Sequence, residues 1–243
     1  MSNELTNIER PTFLSTNEKL GTENISKYLR PSRLKIVQAT AGEPFAGQFD
    51  QGDCVVVPAL QLLAPVATWF RFTPIFFFPQ WCVHNPIQLK GQLPFIRESS
   101  LDPQSQLALA SQNPANRSRP CPENPALSCE VSEHLNVVII AHREGFESLP
   151  ILCSFFRGEH NAGSTLLQMI KLRGVSIFGC IFEARTSVRS NTKGRWWGLD
   201  FGSPESDPWV KDEEQFNQYK KLYVEYQKAH HDKTIEVDFD DAG

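Results

Sequence analysis

Two runs of alternating residues in the last third of the chain constrain its fold most strongly. In residues 177–188 one parity carries Phe178, Cys180, Phe182, Ala184 and Val188, and the other carries Glu183, Arg185 and Ser187. In residues 195–201 Trp197, Leu199 and Phe201 alternate with Trp196 and Asp200. A period of two is that of an extended strand with one face buried. The polar link Arg189-Ser190-Asn191-Thr192-Lys193-Gly194 supplies Asn and Gly for a turn. The spacing predicts a β-hairpin with Trp197 in the core and Trp196 on the solvated face beside Arg185.

Earlier segments repeat the theme. Residues 34–39, 54–57, 69–78, 135–141 and 151–156 are short, apolar and rich in β-branched or aromatic side chains, and read as strands. The 17 Phe and 5 Trp favour strands further, because large rings pack well on a pleated surface. Residues 162–173 read as a helix, with Leu166, Leu167 and Ile170 on one face, Lys171 and Arg173 at its end and Gly174 to close it. Asp212, followed by Glu213 and Glu214, marks the start of a second helix carrying Phe216, Tyr219, Tyr223 and Tyr226 at helical spacing. A helix ahead of a terminal hairpin is the order of an OB barrel.

The expected organisation is therefore mainly β. It comprises a flexible arm (1–26), an OB-like domain (27–202) with a loop insertion poor in pattern (97–130), a C-terminal helix (203–234) and a disordered acidic tail (235–243). The length of 243 residues suits one large domain with a core of its own. A polar start and the absence of a long apolar run predict a cytoplasmic chain, outside any membrane, with reduced cysteines.

Charge is distributed unevenly although the net value is only −4. Between Arg157 and Trp197 seven Lys and Arg face only Glu159 and Glu183, whereas acids dominate after Ser203. An outward ring at Trp196 flanked by Arg185, Arg189, Lys193 and Arg195 is suited to a single strand: bases stack on the ring and cations follow the phosphates. The competing interpretation puts both tryptophans in the core and leaves the loop merely solvated. Trp69, Arg71 and Trp81 form a second aromatic and cationic group, of which Arg71 and Trp81 are further nucleic-acid candidates.

Cys82, His84, Cys121 and Cys129 could meet around zinc, but their spacings lack the tight pairs of a tetrahedral site, so no metal is expected. Cys54, Cys153 and Cys180 read as core thiols. None of the nucleophile-elbow, P-loop, dinucleotide or zinc-protease motifs is present, and no enzyme activity or cofactor is expected.

Several short motifs carry a family likeness. Residues 27–38 (KYLRPSRLKIVQ), the Phe49-Asp-Gln-Gly-Asp53 turn, the aromatic strand ending at Trp81, Ser154-Phe155 before a helix, and Asn191-Thr-Lys-Gly194 resemble the small OB-type DNA-binding proteins of tailed phages. The likeness spans residues 27–202. It implies a protein without cofactor that coats single-stranded DNA during phage replication or recombination, with RNA as an alternative ligand. Some members of that family carry further cysteines in the central insertion, where this chain has Cys121 and Cys129. The acidic end, with Asp238, Phe239, Asp240 and Asp241, is similar to the tails by which bacterial single-strand binding proteins recruit replication or recombination enzymes. It departs from them in ending Ala242-Gly243 instead of on a Phe. Two rival functions remain open to the sequence: a phage interaction protein that binds a host polymerase or nuclease, and a metal-assisted nuclease.

Overall fold

A computed structural model describes residues 31–39, 45–192, 194–235 and 237. The chain opens with β1 (Ser32–Ile36), β2 (Cys54–Val57) and β3 (Gln61–Ala64), followed by the long β4 (Phe70–His84). β5 (Ile96–Ser100), α1 (Gln106–Gln112) and β6 (Ser118–Pro120) lead into a second long strand, β7 (Ser128–Ala141), and then β8 (Pro150–Phe155). α2 (His160–Arg173), the hairpin of β9 (Phe182–Asn191) and β10 (Gly194–Gly202), and α3 (Glu213–His231) complete the order.

These strands make one mixed sheet in the order β10-β9-β4-β7-β8-β1-β2-β3, with β5 also on β4 and β6 on β7. Among the strand pairs of the described residues, only β1 against β8 is parallel. The sheet curls into an open half-barrel flanked by helices, which is OB-like in its general form. Pro74 is accommodated inside β4 because the register with β7 shifts between Pro74 and Phe76, where a missing N–H costs no ladder bond. The curl brings β10 to the end of β1. The Gln38 side chain accepts from Trp197 N (2.8 Å) and donates to Trp197 O (2.9 Å), so one amide group takes the place of a strand partner on the β10 edge. Trp197 also packs on Gly52 in the β1–β2 turn; a Cβ there would come 2.8 Å from the ring, and its φ of +92° itself favours glycine.

One face of the sheet holds the main core, in which Phe72, Ile139, Ile151, Leu166 and Phe182 are buried together. α2 closes over it because Gly163 lets the helix approach Phe155 to a distance no Cβ would permit. Gly174 ends α2 at φ +65°, in the left-handed conformation its position predicts. α3 starts on an Asp212 cap that accepts from Glu214 N, and it covers the other face through Tyr219, Tyr223 and Tyr226 over Phe76 and Phe78.

Three sequence expectations are corrected. The segment 97–130 is not a patternless loop: β5, α1 and β6 lie in it, and Leu107, Ala108, Ala110 and Cys121 pack on Trp81 and Val131. Its alternation is hidden because each element is too short to display a period. Residues 177–179 form a 3-10 turn instead of the start of the hairpin, and Phe178 packs on α3 through Phe216 and Tyr223. Ile235 and Val237 belong to the apolar cluster under α3, so ordered packing runs into the stretch expected to be tail. The arm, Lys193, Asp238, Phe239, Asp240 and Asp241 lie outside the described residues. Among the described residues, no helix is long and apolar enough to cross a membrane.

Candidate nucleic-acid interface

The hairpin register pairs Trp196 with Arg189, Gly198 with Ser187 and Asp200 with Arg185, which puts these six positions on one face. Trp196 is half-buried and held at its edge: the indole N–H donates to Glu159 Oε1 at 2.8 Å. The other carboxylate oxygen, Oε2, accepts from Leu199 N at 3.1 Å, so Glu159 satisfies an edge amide of β10 and fixes the ring together. Two glycines make room for this. A Cβ on Gly198 would lie 2.2 Å from the Glu159 carboxylate, and one on Gly158 would lie 3.0 Å from the Trp196 ring. The turn that leads into α2 is thus locked to the hairpin.

Two adjoining clefts open at this junction. The first, about 340 Å³, is lined by Trp196, Arg195, Gly194, Asn191, Glu159, Gly158 and Phe156. The second, about 640 Å³, shares Asn191 and Gly158 and extends to Arg157, Glu130, Ser128 and the 84–88 segment. Phe156 is not a loose ring. It stacks on His134 with centroids 4.3 Å apart and planes 2° from parallel, and His84 continues the stack.

His84 Nε2 lies 2.7 Å from Ser132 Oγ and 2.9 Å from His134 Nε2. Burial first, and the nearby Arg157 guanidinium second, hold the His84 imidazole down to about 3. Burial holds His134 well below its ordinary value too, with His84 and Arg157 adding to the effect. Both rings are therefore neutral at physiological pH, and the wall beneath Phe156 is an uncharged aromatic stack. Arg195 is exposed at the rim, while Arg157 pairs with Glu130 at 2.9 Å.

No known protein family, curated protein or solved structure matches this chain.

The structure distributes the sequence-predicted residues unevenly around this site. Trp196 and Arg195 line the first cleft. Arg189 sits on the same hairpin face but is engaged, donating to Asp200 Oδ1 at 2.6 Å and to Leu199 O. Arg185, expected beside Trp196, instead lies over Trp69, 4.6 Å from the ring centroid. Arg71 is tied to Glu183 at 3.1 Å and to Ser206 O, away from the clefts. Trp81 is only 6 % exposed and packs in the insertion core, which removes it from any binding surface. Trp197 is half-buried rather than fully enclosed, because its ring covers the seam between β10 and the β1–β2 turn.

Among the described residues, no group of three or more His, Cys, Asp or Glu is placed to hold a metal. Cys129 Sγ is directed at Asn85 Oδ1 and Cys121 Sγ at Glu123 Oε2, while burial pushes the Cys82 thiol up to about 12. Sequence reasoning missed Phe156, Gly158, Glu159, Gly198 and Gln38. Glu159 and its neighbour His160 are visible only as an acid beside an imidazole, and no local pattern links them to a hairpin 37 residues away.

Proposed function

We propose that this chain is a non-enzymatic single-stranded DNA-binding protein of the phage type, which receives bases in the cleft between Trp196 and Phe156. The observation that carries the reading is Trp196: a half-exposed ring, fixed by Glu159, on the wall of a cleft rimmed by the exposed Arg195. A ring already immobilised loses little further freedom when a base stacks on it, so most of the stacking free energy of about 1–3 kcal/mol goes to affinity. Phe156, backed by two neutral imidazoles, offers a second face of the same kind. Of the carboxylates nearby, Glu130 is paired with Arg157, and Glu159 turns its oxygens to two N–H donors of the hairpin.

The strand pairing supports a finer OB reading. β4–β7–β8, then α2, then β9–β10 with β9 on β4, follows the strand and helix order of that barrel, with β1 added beyond β8 and followed by β2. The second cleft then lies between the last hairpin and the β4–β7 connection, the two loops that flank ligands in OB folds. A gel-shift series with single-stranded, duplex and RNA oligonucleotides tests the proposal. Preference for single-stranded DNA supports it; duplex binding of equal strength, or no binding at low salt, refutes it.

A further inference from the structure

Two aromatic and cationic pairs lie at the other end of the hairpin. Trp69 is 42 % exposed and covers Gly202, where a Cβ would stand 3.3 Å from the ring. Arg185 lies over its face. One residue further on, Ser203 accepts a hydrogen bond from Arg173, whose guanidinium sits 5.1 Å from the ring centroid of Trp209, itself 40 % exposed. Three of the acids nearby are engaged: Glu183 by Arg71, Asp200 by Arg189, Asp207 by Lys211. Among the described residues, no carboxylate is ion-paired with Arg173 or Arg185.

Two tryptophans about two-fifths exposed, each beside an arginine with no acid paired to it among the described residues, leave aromatic and cationic groups at the surface. Indoles and guanidinium planes are both groups on which bases stack, and the same cations meet phosphates. An acidic protein surface would satisfy the arginines but would leave the two rings uncovered, so the combination favours a polyanion that has flat faces of its own. From Trp196 to Gly202 β10 runs about 20 Å at about 3.3 Å per residue, a distance that several nucleotides of an extended strand can span.

We propose that single-stranded nucleic acid leaving the Trp196 cleft passes along the hairpin and is received by Trp69, Arg185, Arg173 and Trp209. This rests on the reading of the cleft as a single-strand site. The test compares oligothymidylates of about 4 and about 12 nucleotides, spanning the range of site sizes found for OB folds. The native chain is expected to bind the longer one more tightly, by roughly fivefold or more for each ring engaged. W69A/W209A should bind the short oligonucleotide as the native chain does and lose the gain on lengthening, whereas Trp196→Ala should weaken both.

Ultraviolet cross-linking of the native chain to the longer oligonucleotide avoids any effect of substitution on folding, and adducts on Trp69 or Trp209 are expected. Retention of the full length-dependent gain in W69A/W209A, or adducts confined to Trp196 and Phe156, overturns the inference and leaves the surface to a protein partner. Failure of the native chain to bind either oligonucleotide overturns the cleft reading, and this inference with it.

Discussion

The Glu159 lock can be broken from either side, and the two ways should not add. In Gly198→Ala the new methyl would stand 2.2 Å from one carboxylate oxygen and 2.5 Å from the other, so the carboxylate must leave. Its two hydrogen bonds, from the Trp196 indole and Leu199 N, are then lost. A hydrogen bond to a charged group contributes about 1.5–3 kcal/mol net, and partial exposure of Glu159 places these at the lower end, about 3 kcal/mol together. Alanine returns roughly 0.5–1 kcal/mol relative to glycine within a strand. G198A should therefore cost about 2–3 kcal/mol and E159A a similar amount.

The double variant G198A/E159A should cost no more than E159A alone, because the methyl then meets no carboxylate. The coupling of about 2 kcal/mol stands well clear of the roughly 0.3–0.5 kcal/mol within which independent sites add. Urea unfolding of the four proteins measures it, and near-ultraviolet circular dichroism should show the same loss of Trp196 signal in all three variants. Additive costs, or a native Trp196 signal in G198A, would refute the lock.

Four further outcomes are expected. Because the His84 imidazole titrates near 3 in the folded chain and near 6.5 when unfolded, the unfolded state takes up the proton first. Stability is then full above about pH 6.5 and falls as pH drops towards 3, by about 1.4 kcal/mol per pH unit for each such proton, and His84→Phe should flatten urea midpoints measured across that range. Arg195→Ala should lower the slope of log affinity against log salt by about 0.7 if it contacts one phosphate; an unchanged slope takes Arg195 off the path. Trp81→Ala should cost about 3–5 kcal/mol in unfolding yet leave the DNA affinity of the folded protein as it was, and a selective loss of affinity would return Trp81 to the interface. Removal of residues 238–243 should tighten DNA binding at low salt, with the difference shrinking as salt rises, if these acids compete with DNA for the same cations; equal affinities at low salt rule out that competition.

The hairpin was legible in the sequence because its alternation is long enough to set a period, and the α2 and α3 ends were legible from Gly174 and Asp212. The insertion was not. α1 and β6 are too short to repeat, and their burial depends on β4 and β7, whose own extensions to His84 and Ser128 lie beyond their apolar runs. Trp196 could be placed on its face by parity, but its fixed edge could not, because Glu159 reaches it across a gap in the chain that only the curl of the sheet closes. Arg185 and Arg189 show the same limit from the other side. Both are visible as hairpin cations, yet Asp200 and Trp69 decide what each is free to do.

The most direct test of the central claim is titration of the full-length chain with single-stranded DNA at low salt, followed by tryptophan fluorescence. Saturable quenching is expected, weakened in Trp196→Ala by about 1–3 kcal/mol of affinity with little change in salt slope. Quenching and affinity identical in the native chain and Trp196→Ala would contradict it.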